Sequence, residues 1–518
     1  MKKRFTYMAA ALLIGLPAAA QETYENAKIA TEDLNGTARY VGRGGATDAL
    51  GAEISSIGSN PAAIGLFRHS KVEGSAGMVT QQDAADYSRG DATNLSFDQI
   101  GVVWSKQTGE RSFLNVAFNY HKSRNFDFIL SADDKLNAAS QNKLTYMKHW
   151  NFMLYNSDFD GNVIFDRPYI TCNQLDDIYM RNLLPAAGDG KYYFYEASQY
   201  DFDRAHSGYI GEYDFNVSGN IDDRVYLGLT LGIHDVHYHH SGDYTEAFNP
   251  NPENIETMNV WDNRKITGTG VDLKLGMIVR PIEYSPLLIG ASVSTPTFYD
   301  LTTSNYTEVS DGNATVWAKE PYDFKLYTPW KFGLSLGYTV GQFMAIGAGF
   351  DYADYGHMDT RVNDGGSYDY YDYYESSSSD DDMNDHTKEY LKGVSTVKLG
   401  VEVKPIPEIA LRAGYNYVSA MYDEDGYKDG TINSYGTSFA SATDYTNWKN
   451  TNRFTLGVGY KSGRANLDLA YQFSSTSGKF APFMNYVDNQ YVDYDNVVNQ
   501  VTVNNKRHQI LCTIGYTF

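Results

Sequence analysis

From about residue 71 onward, apolar and polar residues alternate in segments of roughly ten. In the clearest of them Val271, Leu273, Leu275, Met277 and Val279 interleave with Gly270, Asp272, Lys274 and Gly276. Successive side chains of a strand point to opposite faces, so one face of this segment suits hydrocarbon and the other suits water. The same holds for Val225-Leu227-Leu229-Leu231-Ile233, Met344-Ile346-Ala348-Phe350 and Phe454-Leu456-Val458-Tyr460. These dyads predict fourteen strands, near 71–79, 97–105, 111–121, 208–219, 223–238, 263–279, 287–295, 325–338, 343–354, 391–403, 408–419, 451–460, 465–474 and 506–518. The connections alternate in kind. Short ones, such as Asn220–Asp223, Thr339–Gln342 and Lys461–Arg464, separate long polar stretches at 80–96, 122–205, 240–261, 296–322, 355–390, 420–449 and 475–505. Tight turns at one rim and long loops at the other are the asymmetry of bacterial outer-membrane barrels, and loops this long are uncommon in compact soluble domains. The fold class is therefore all-β: a 14-stranded antiparallel transmembrane β-barrel over 71–518, with long extracellular loops of which 122–205 is the longest.

The first seventy residues do not alternate. Residues 1–20 combine Lys2, Lys3 and Arg4, an apolar stretch through Leu12-Leu13-Ile14, and the small residues Ala18-Ala19-Ala20, which is the pattern of a signal peptide. Residues 21–70 hold Gly36, Gly42, Gly44, Gly45 and Gly51 among small and apolar residues. Missing side chains permit close backbone approach, so this stretch is expected to fold inside the lumen as a plug. No apolar strand precedes Arg43-Gly44-Gly45 and no Lys-Ser/Thr follows, so it lacks the context of a phosphate loop.

Composition adds exclusions. Beyond the first twenty of 518 residues, no apolar run approaches the roughly 18–20 needed by a membrane helix. The 44 tyrosines and 46 glycines favour strands and turns. A net charge of −22 without a Lys/Arg cluster argues against a nucleic-acid partner. The two cysteines, Cys172 and Cys512, fall in a long connection and in the last strand and are expected to be unpaired. No G-x-S-x-G elbow or other nucleophilic constellation stands out, so no enzyme, cofactor or metal centre is expected.

Gly36-Thr37-Ala38-Arg39-Tyr40-Val41-Gly42-Arg43-Gly44-Gly45-Ala46, followed by Asp48-Ala49 and by Ser59-Asn60-Pro61-Ala62-Ala63-Ile64-Gly65-Leu66, resembles the N-terminal hatch of the FadL/TodX family of outer-membrane transporters. Over the rest of the chain the likeness extends to the inferred strand count and loop asymmetry. The resemblance implies passive uptake of hydrophobic small molecules such as long-chain fatty acids across a Gram-negative outer membrane. It also implies a hatch whose gating residues are Arg39, Arg43, Gly44, Gly45, Asn60, Pro61 and Ala62, and an exit through a kinked strand near Asn115 to Tyr120. Its partners would be the ligand, outer-membrane lipid and lipopolysaccharide, and the barrel-insertion machinery, with the barrel a monomer. The 122–205 connection and the acidic, Tyr-rich loops depart from the pattern.

Alternation places Glu212, Asp214, Asp272, Lys274, Lys331, Asp351, Lys398, Glu402, Arg412, Arg453 and Asp468 toward the lumen. There they can pair hatch to wall. Alternatively Lys274, Lys398, Arg412 or Arg453 can hold a ligand carboxylate by charge-assisted hydrogen bonds. His234, His237, His239 and His240 cluster where a strand leaves the membrane, as a solvated rim or as a surface metal site through His237 and His239. Residues 367–385, rich in Tyr, Ser and Asp, read as solvated surface or as a divalent-cation patch. Two other functions fit a barrel: a surface adhesin or structural barrel, and a polar diffusion porin. An apolar pocket between hatch and loops distinguishes the channel from the adhesin, and a filled lumen distinguishes it from the porin.

Overall fold

The computed structural model describes residues 22–157, 162–185, 191–251, 253–310, 315–318, 321–368, 373–487 and 495–518. The expected signal peptide lies outside the described residues, as do Tyr370 and Tyr371 of the acidic loop.

Fourteen strands form the wall: β1 (Lys71–Gln81), β2 (Thr93–Gln107), β3 (Phe113–Asn125), β4 (Ala197–Ile221), β5 (Val225–Phe248), β6 (Thr257–Val279), β7 (Leu287–Ser294), β8 (Lys331–Val340), β9 (Met344–Asp354), β10 (Gly393–Ile406), β11 (Ile409–Val418), β12 (Tyr445–Ser462), β13 (Ala465–Ala481) and β14 (Val501–Thr517). Each pairs antiparallel with its neighbour, and β1 pairs with both β2 and β14, so the sheet closes. Closure leaves no strand edge for hydrocarbon to desolvate. The C-terminal strand ends against the first, where Phe518 N–H donates to Ser70 O at 2.9 Å.

The outer face explains the dyads. Leu227, Leu229, Leu231 and Ile233 of β5 are exposed beside Val271, Leu273, Leu275 and Met277 of β6, while Tyr226, Thr230 and His234 between the former are buried. Such an apolar band encircles the barrel and is incompatible with water. It gives way above Ile233 to Asp235, His237 and His239 on the same face. There the strand leaves the membrane but does not stop: β4 and β5 run 25 and 24 residues, well beyond the 208–219 and 223–238 that the lipid-facing pattern predicted. Past the membrane the outer face turns polar, and the remaining signal is the inward row Tyr238, Tyr244 and Phe248.

The 122–205 connection is likewise no open loop. Phe128–Lys135 adds a strand beside β4, and α-helices form at Gln141–Trp150 and Gln174–Ile178. Ser140 caps the first of these helices by accepting Lys143 N–H. Their apolar residues Leu144, Leu175 and Ile178, with Met180 just beyond, join Tyr200, Phe202, Phe480 and Phe483 in one core above the membrane. Tyr24, Ala27 and Ile29 of the N-terminal helix Thr23–Ala30 pack into the same core.

From that helix the chain descends through the bore. A short helix, Ala38–Val41, and 3-10 turns at Ile54–Ile57 and Pro61–Leu66 bring it to the start of β1. The expected kink near Asn115 to Tyr120 is absent, because β3 keeps unbroken register with β2 from Phe113 to His121 and with β4 from Phe113 to Lys122. The irregularity is a β-bulge one turn higher, between Lys122 and Arg124.

Candidate functional site

The N-terminal segment meets the wall through missing side chains on the wall itself. A Cβ at Gly228 would fall on the backbone of Pro61, one at Gly276 would stand 2.8 Å from Ala62 N, and one at Gly337 would stand 3.0 Å from Leu50 N. Side chains at Gly347, Gly400 and Gly414 would strike Ala46, Arg43 and Gly44 in turn. These inward glycines belong to β5, β6, β8, β9, β10 and β11, so six of the fourteen wall strands carry a notch for the segment. Sequence reading credited close approach to the segment's own glycines and missed the complementary set on the wall.

Asn60-Pro61-Ala62 is a helical start. The Asn60 side chain accepts Ala62 N–H at 3.1 Å and Pro61 occupies the first helical position, where its missing N–H costs nothing. Pro61 O accepts from Ser218 Oγ at 2.9 Å, and Asn115 Nδ2 donates to Ile64 O at 2.7 Å. Arg39 and Arg43 converge on Glu402 of β10, at 3.5 and 3.6 Å. Gly44 and Gly45 both adopt positive φ, 63° and 77°.

The four basic residues proposed for a ligand carboxylate are not equivalent. Arg412 is buried between Glu402 and Asp468, at 2.6 Å from each. Lys274 is enclosed by Glu212, Asp214 and Asp272. Lys398 bridges Asp48 of the N-terminal segment, at 3.1 Å, and Asp351 of the wall, at 2.6 Å. Lys398 and Arg453 line a cavity of about 360 Å³ beneath the folded cap, within the usual range of about 300–1,000 Å³ for small-molecule sites.

Arg453 belongs to a convergence that the sequence did not announce. Asp33 accepts Asn125 N–H at 3.0 Å and stands 3.1 Å from Arg124 Nη1, 3.7 Å from Arg453 Nη2 and 4.0 Å from Arg507 Nη1. Three guanidinium groups thus face one carboxylate. Arg507 was available to the alternation argument, since it shares the inward parity of Gln509, Leu511 and Thr513. Arg124 was not. Alternation from Asn115 and Asn119 puts it on the outer face, and only the bulge at Ser123, which shifts parity by one residue, turns it inward.

Arg124 and Arg507 also line a second, smaller cavity of about 100 Å³ walled by Tyr24, Phe126, Phe128, Tyr238, Tyr422 and Trp448. Tyr422, Trp448 and the two arginines border both spaces. A partly aromatic cavity, lined also by Glu25, Arg204 and Asp444, therefore adjoins the larger one, with Arg124 and Arg507 in the wall that both share. Such an arrangement can hold a molecule with one apolar end and one anionic end.

The histidines separate by parity. His237 and His239 face outward, His237 against Asp235 at 2.9 Å and His239 against Asn263 at 2.9 Å. His234 and His240 face inward and are buried, at 3.0 Å from Asp272 and 2.6 Å from Asp262 respectively. Rim and lumen thus share what looked like one cluster. Cys172 and Cys512 are both unpaired.

No protein-family model and no curated protein matches the sequence. Among solved structures, the chain is similar to a Pseudomonas aeruginosa FadL homologue, at 10% identity and TM-score 0.48, covering 94% of this chain and 100% of that one. It is also similar to the Ralstonia pickettii toluene transporter TbuX, at 9% identity and TM-score 0.47, with 94% and 99% covered. The Pseudomonas putida toluene transporter TodX follows at 11% identity and TM-score 0.44, with 94% and 99% covered.

Proposed function

We propose that this protein is an outer-membrane channel for passive uptake of hydrophobic small molecules that carry an acidic head, long-chain fatty acids being the type case, with residues 21–70 as its hatch. The observation that carries the reading is the junction at Asp33, where Arg124 and Arg507 border both cavities and Arg453 lines the larger one. In this reading the Asp33 carboxylate fills the head-group position until a ligand carboxylate takes its place. Burial of the apolar tail, at roughly 25 cal/mol per Å², supplies capture. Concentration gradients drive net movement, and displacement of the hatch from its glycine notches opens the way on.

Lipopolysaccharide is a polar, packed barrier to such molecules, so a protein path through a Gram-negative outer membrane answers a physical need. The bore argues against a diffusion porin, because the N-terminal segment meets wall strands on opposite sides of it, from Gly228 on β5 to Gly414 on β11. The cavities favour a channel over an adhesin, whose lumen would need none.

The test compares a long-chain fatty acid with the alcohol of equal length, by displacement of a fluorescent probe from the purified barrel. The acid should bind at least tenfold more tightly, and Arg124→Gln with Arg453→Gln should erase the difference. Equal binding of acid and alcohol to the unaltered protein would refute the head-group assignment.

A further inference from the structure

Above the membrane, four side chains form a hydrogen-bonded relay that runs from β6 to the smaller cavity. Asp262 of β6 accepts from Arg204 Nη2 at 2.9 Å and from His240 Nε2 at 2.6 Å. Burial raises the Asp262 carboxyl, but Arg204 and His240 outweigh it and hold the group well below the usual carboxylate range. An ionised carboxylate only accepts, so His240 carries its proton on Nε2. Burial pulls the His240 imidazole down to about 4, which makes its Nδ1 a bare lone pair at neutral pH. Tyr238 Oη lies 2.9 Å from that Nδ1 and 2.9 Å from His206 Nδ1.

The hydroxyl has one proton, and His240 takes it. Tyr238 Oη must then accept from His206 Nδ1, because two lone pairs facing each other at that distance repel. A neutral imidazole carries its proton on one nitrogen only, and burial, with Lys28 nearby, holds His206 well below its ordinary value. Its Nε2 is therefore an acceptor. Among the described residues no hydrogen bond reaches that atom, and His206 is only half-buried where Tyr238 and His240 behind it are buried. The His206 ring lines the smaller cavity and stacks on Phe128, with centroids 6.1 Å apart and planes 14° from parallel. Charged groups on the same cavity are already engaged, Lys28 with Glu25 at 2.8 Å and Arg204 with Asp444 at 2.7 Å.

We propose that the smaller cavity is a hydroxyl subsite, in which His206 Nε2 accepts the O–H of a phenol or alcohol carried on the apolar part of the ligand. Tyr238, His240 and Asp262 are positioning residues that fix the tautomer of the acceptor. A ligand that dries the cavity must bring a donor, since a buried acceptor left unpaired is costly, and a site built to pair with a hydroxyl rejects the analogue that lacks one. Walls of Phe126, Phe128, Tyr422 and Trp448 around about 100 Å³ suit the faces and edges of a single ring. As a statement about the transported molecule this rests on the proposed function, whereas the subsite itself requires no acid head.

The test uses the full barrel in detergent at neutral pH and two probes of one shape, para-fluorophenol and para-fluorotoluene, neither of which has a carboxylate. Fluorine magnetic resonance gives the affinity of each. The ratio of the two should favour the phenol at least tenfold more in the unaltered protein than in His206→Phe, a comparison in which partitioning into detergent cancels. His237→Phe on the outer face should keep the native ratio. Heat-modifiable migration on gels verifies that each variant is folded. Should His206→Phe not fold, isotopic labelling of the histidine nitrogens in the unaltered barrel gives a second readout: one ring protonated at Nδ1, whose Nε2 resonance moves with para-fluorophenol and not with para-fluorotoluene. Equal ratios in the unaltered and folded His206→Phe proteins would overturn the inference, as would failure of the unaltered protein to bind the phenol or the absence of any such Nε2 response. A barrel that prefers the phenol yet binds long-chain acid and alcohol alike would keep the subsite and refute only the head-group reading.

Discussion

Replacing Asp33 by Asn removes the charge that three arginines share while preserving the shape of the side chain. Under the proposed function, an incoming ligand carboxylate would displace Asp33 from Arg124, Arg453 and Arg507. Loss of one partner from a buried, hydrogen-bonded charge pair is worth about 2–5 kcal/mol; Asp33 and Arg124 are only partly buried, so the lower bound applies and the ligand no longer competes against about 2 kcal/mol. At 1.4 kcal/mol per decade that is roughly a thirtyfold gain in affinity. Titration calorimetry on the purified Asp33→Asn barrel should show the gain for a long-chain acid and no change for the matching alcohol. The same substitution leaves three guanidinium groups uncompensated and should lower the melting temperature of the unliganded protein, with saturating acid restoring it. An unchanged or weaker affinity for the acid in a folded Asp33→Asn protein would show that the three arginines do not receive the ligand's head.

Three other perturbations probe the N-terminal segment and the cap. Gly400→Val would drive two methyl groups toward the Arg43 carbonyl and the Ala46 side chain, an overpacking of about 1–3 kcal/mol at a strand position that valine itself suits. Planar-bilayer conductance should rise in this variant, and conductance equal to that of the unaltered barrel would mean that the glycine notches do not seat the N-terminal segment as the proposed hatch. Asn60→Ala forfeits the cap on Ala62 N–H, about 1 kcal/mol, and should speed hydrogen exchange at Ala62 and Ala63, whereas unaltered exchange would deny the cap its role. Glu246 lies on β5 above the membrane, where burial pushes its carboxyl up to about 7. A carboxyl raised in the folded state stabilises fully below its unfolded value of about 4.5, and that stability is lost as pH rises to about 7, a change on the order of 3 kcal/mol. Resistance of the cap to proteolysis should therefore fall between pH 5 and pH 7.5, with Glu246→Gln, which keeps a carbonyl for Gln141 N–H and Tyr244, flattening the profile.

The wall was legible because lipid and lumen impose opposite demands on successive residues, and a strand that meets both writes them as a period of two. All fourteen strands follow that signal, as do the inward directions of Glu212, Asp272, Lys274, Lys398 and Arg412. The pattern fails where its cause fails. Above the membrane neither face of β4 and β5 meets hydrocarbon, so their upper halves read as loop. The cap over 122–205 is held by distant partners, such as Asn496 Oδ1 accepting Ser140 N–H at 2.9 Å, and such pairings leave no local periodicity. Arg124 was invisible for a different reason, because one bulged residue inverts the parity on which its direction depends.

The most direct measurement is lipid mass spectrometry on the barrel extracted from outer membranes and purified without added fatty acid. A bound long-chain acid, lost when Arg124 and Arg453 are replaced by Gln, is the result expected of an amphiphile channel with its head-group site at Asp33. A folded, unaltered barrel that yields no apolar acid would contradict it.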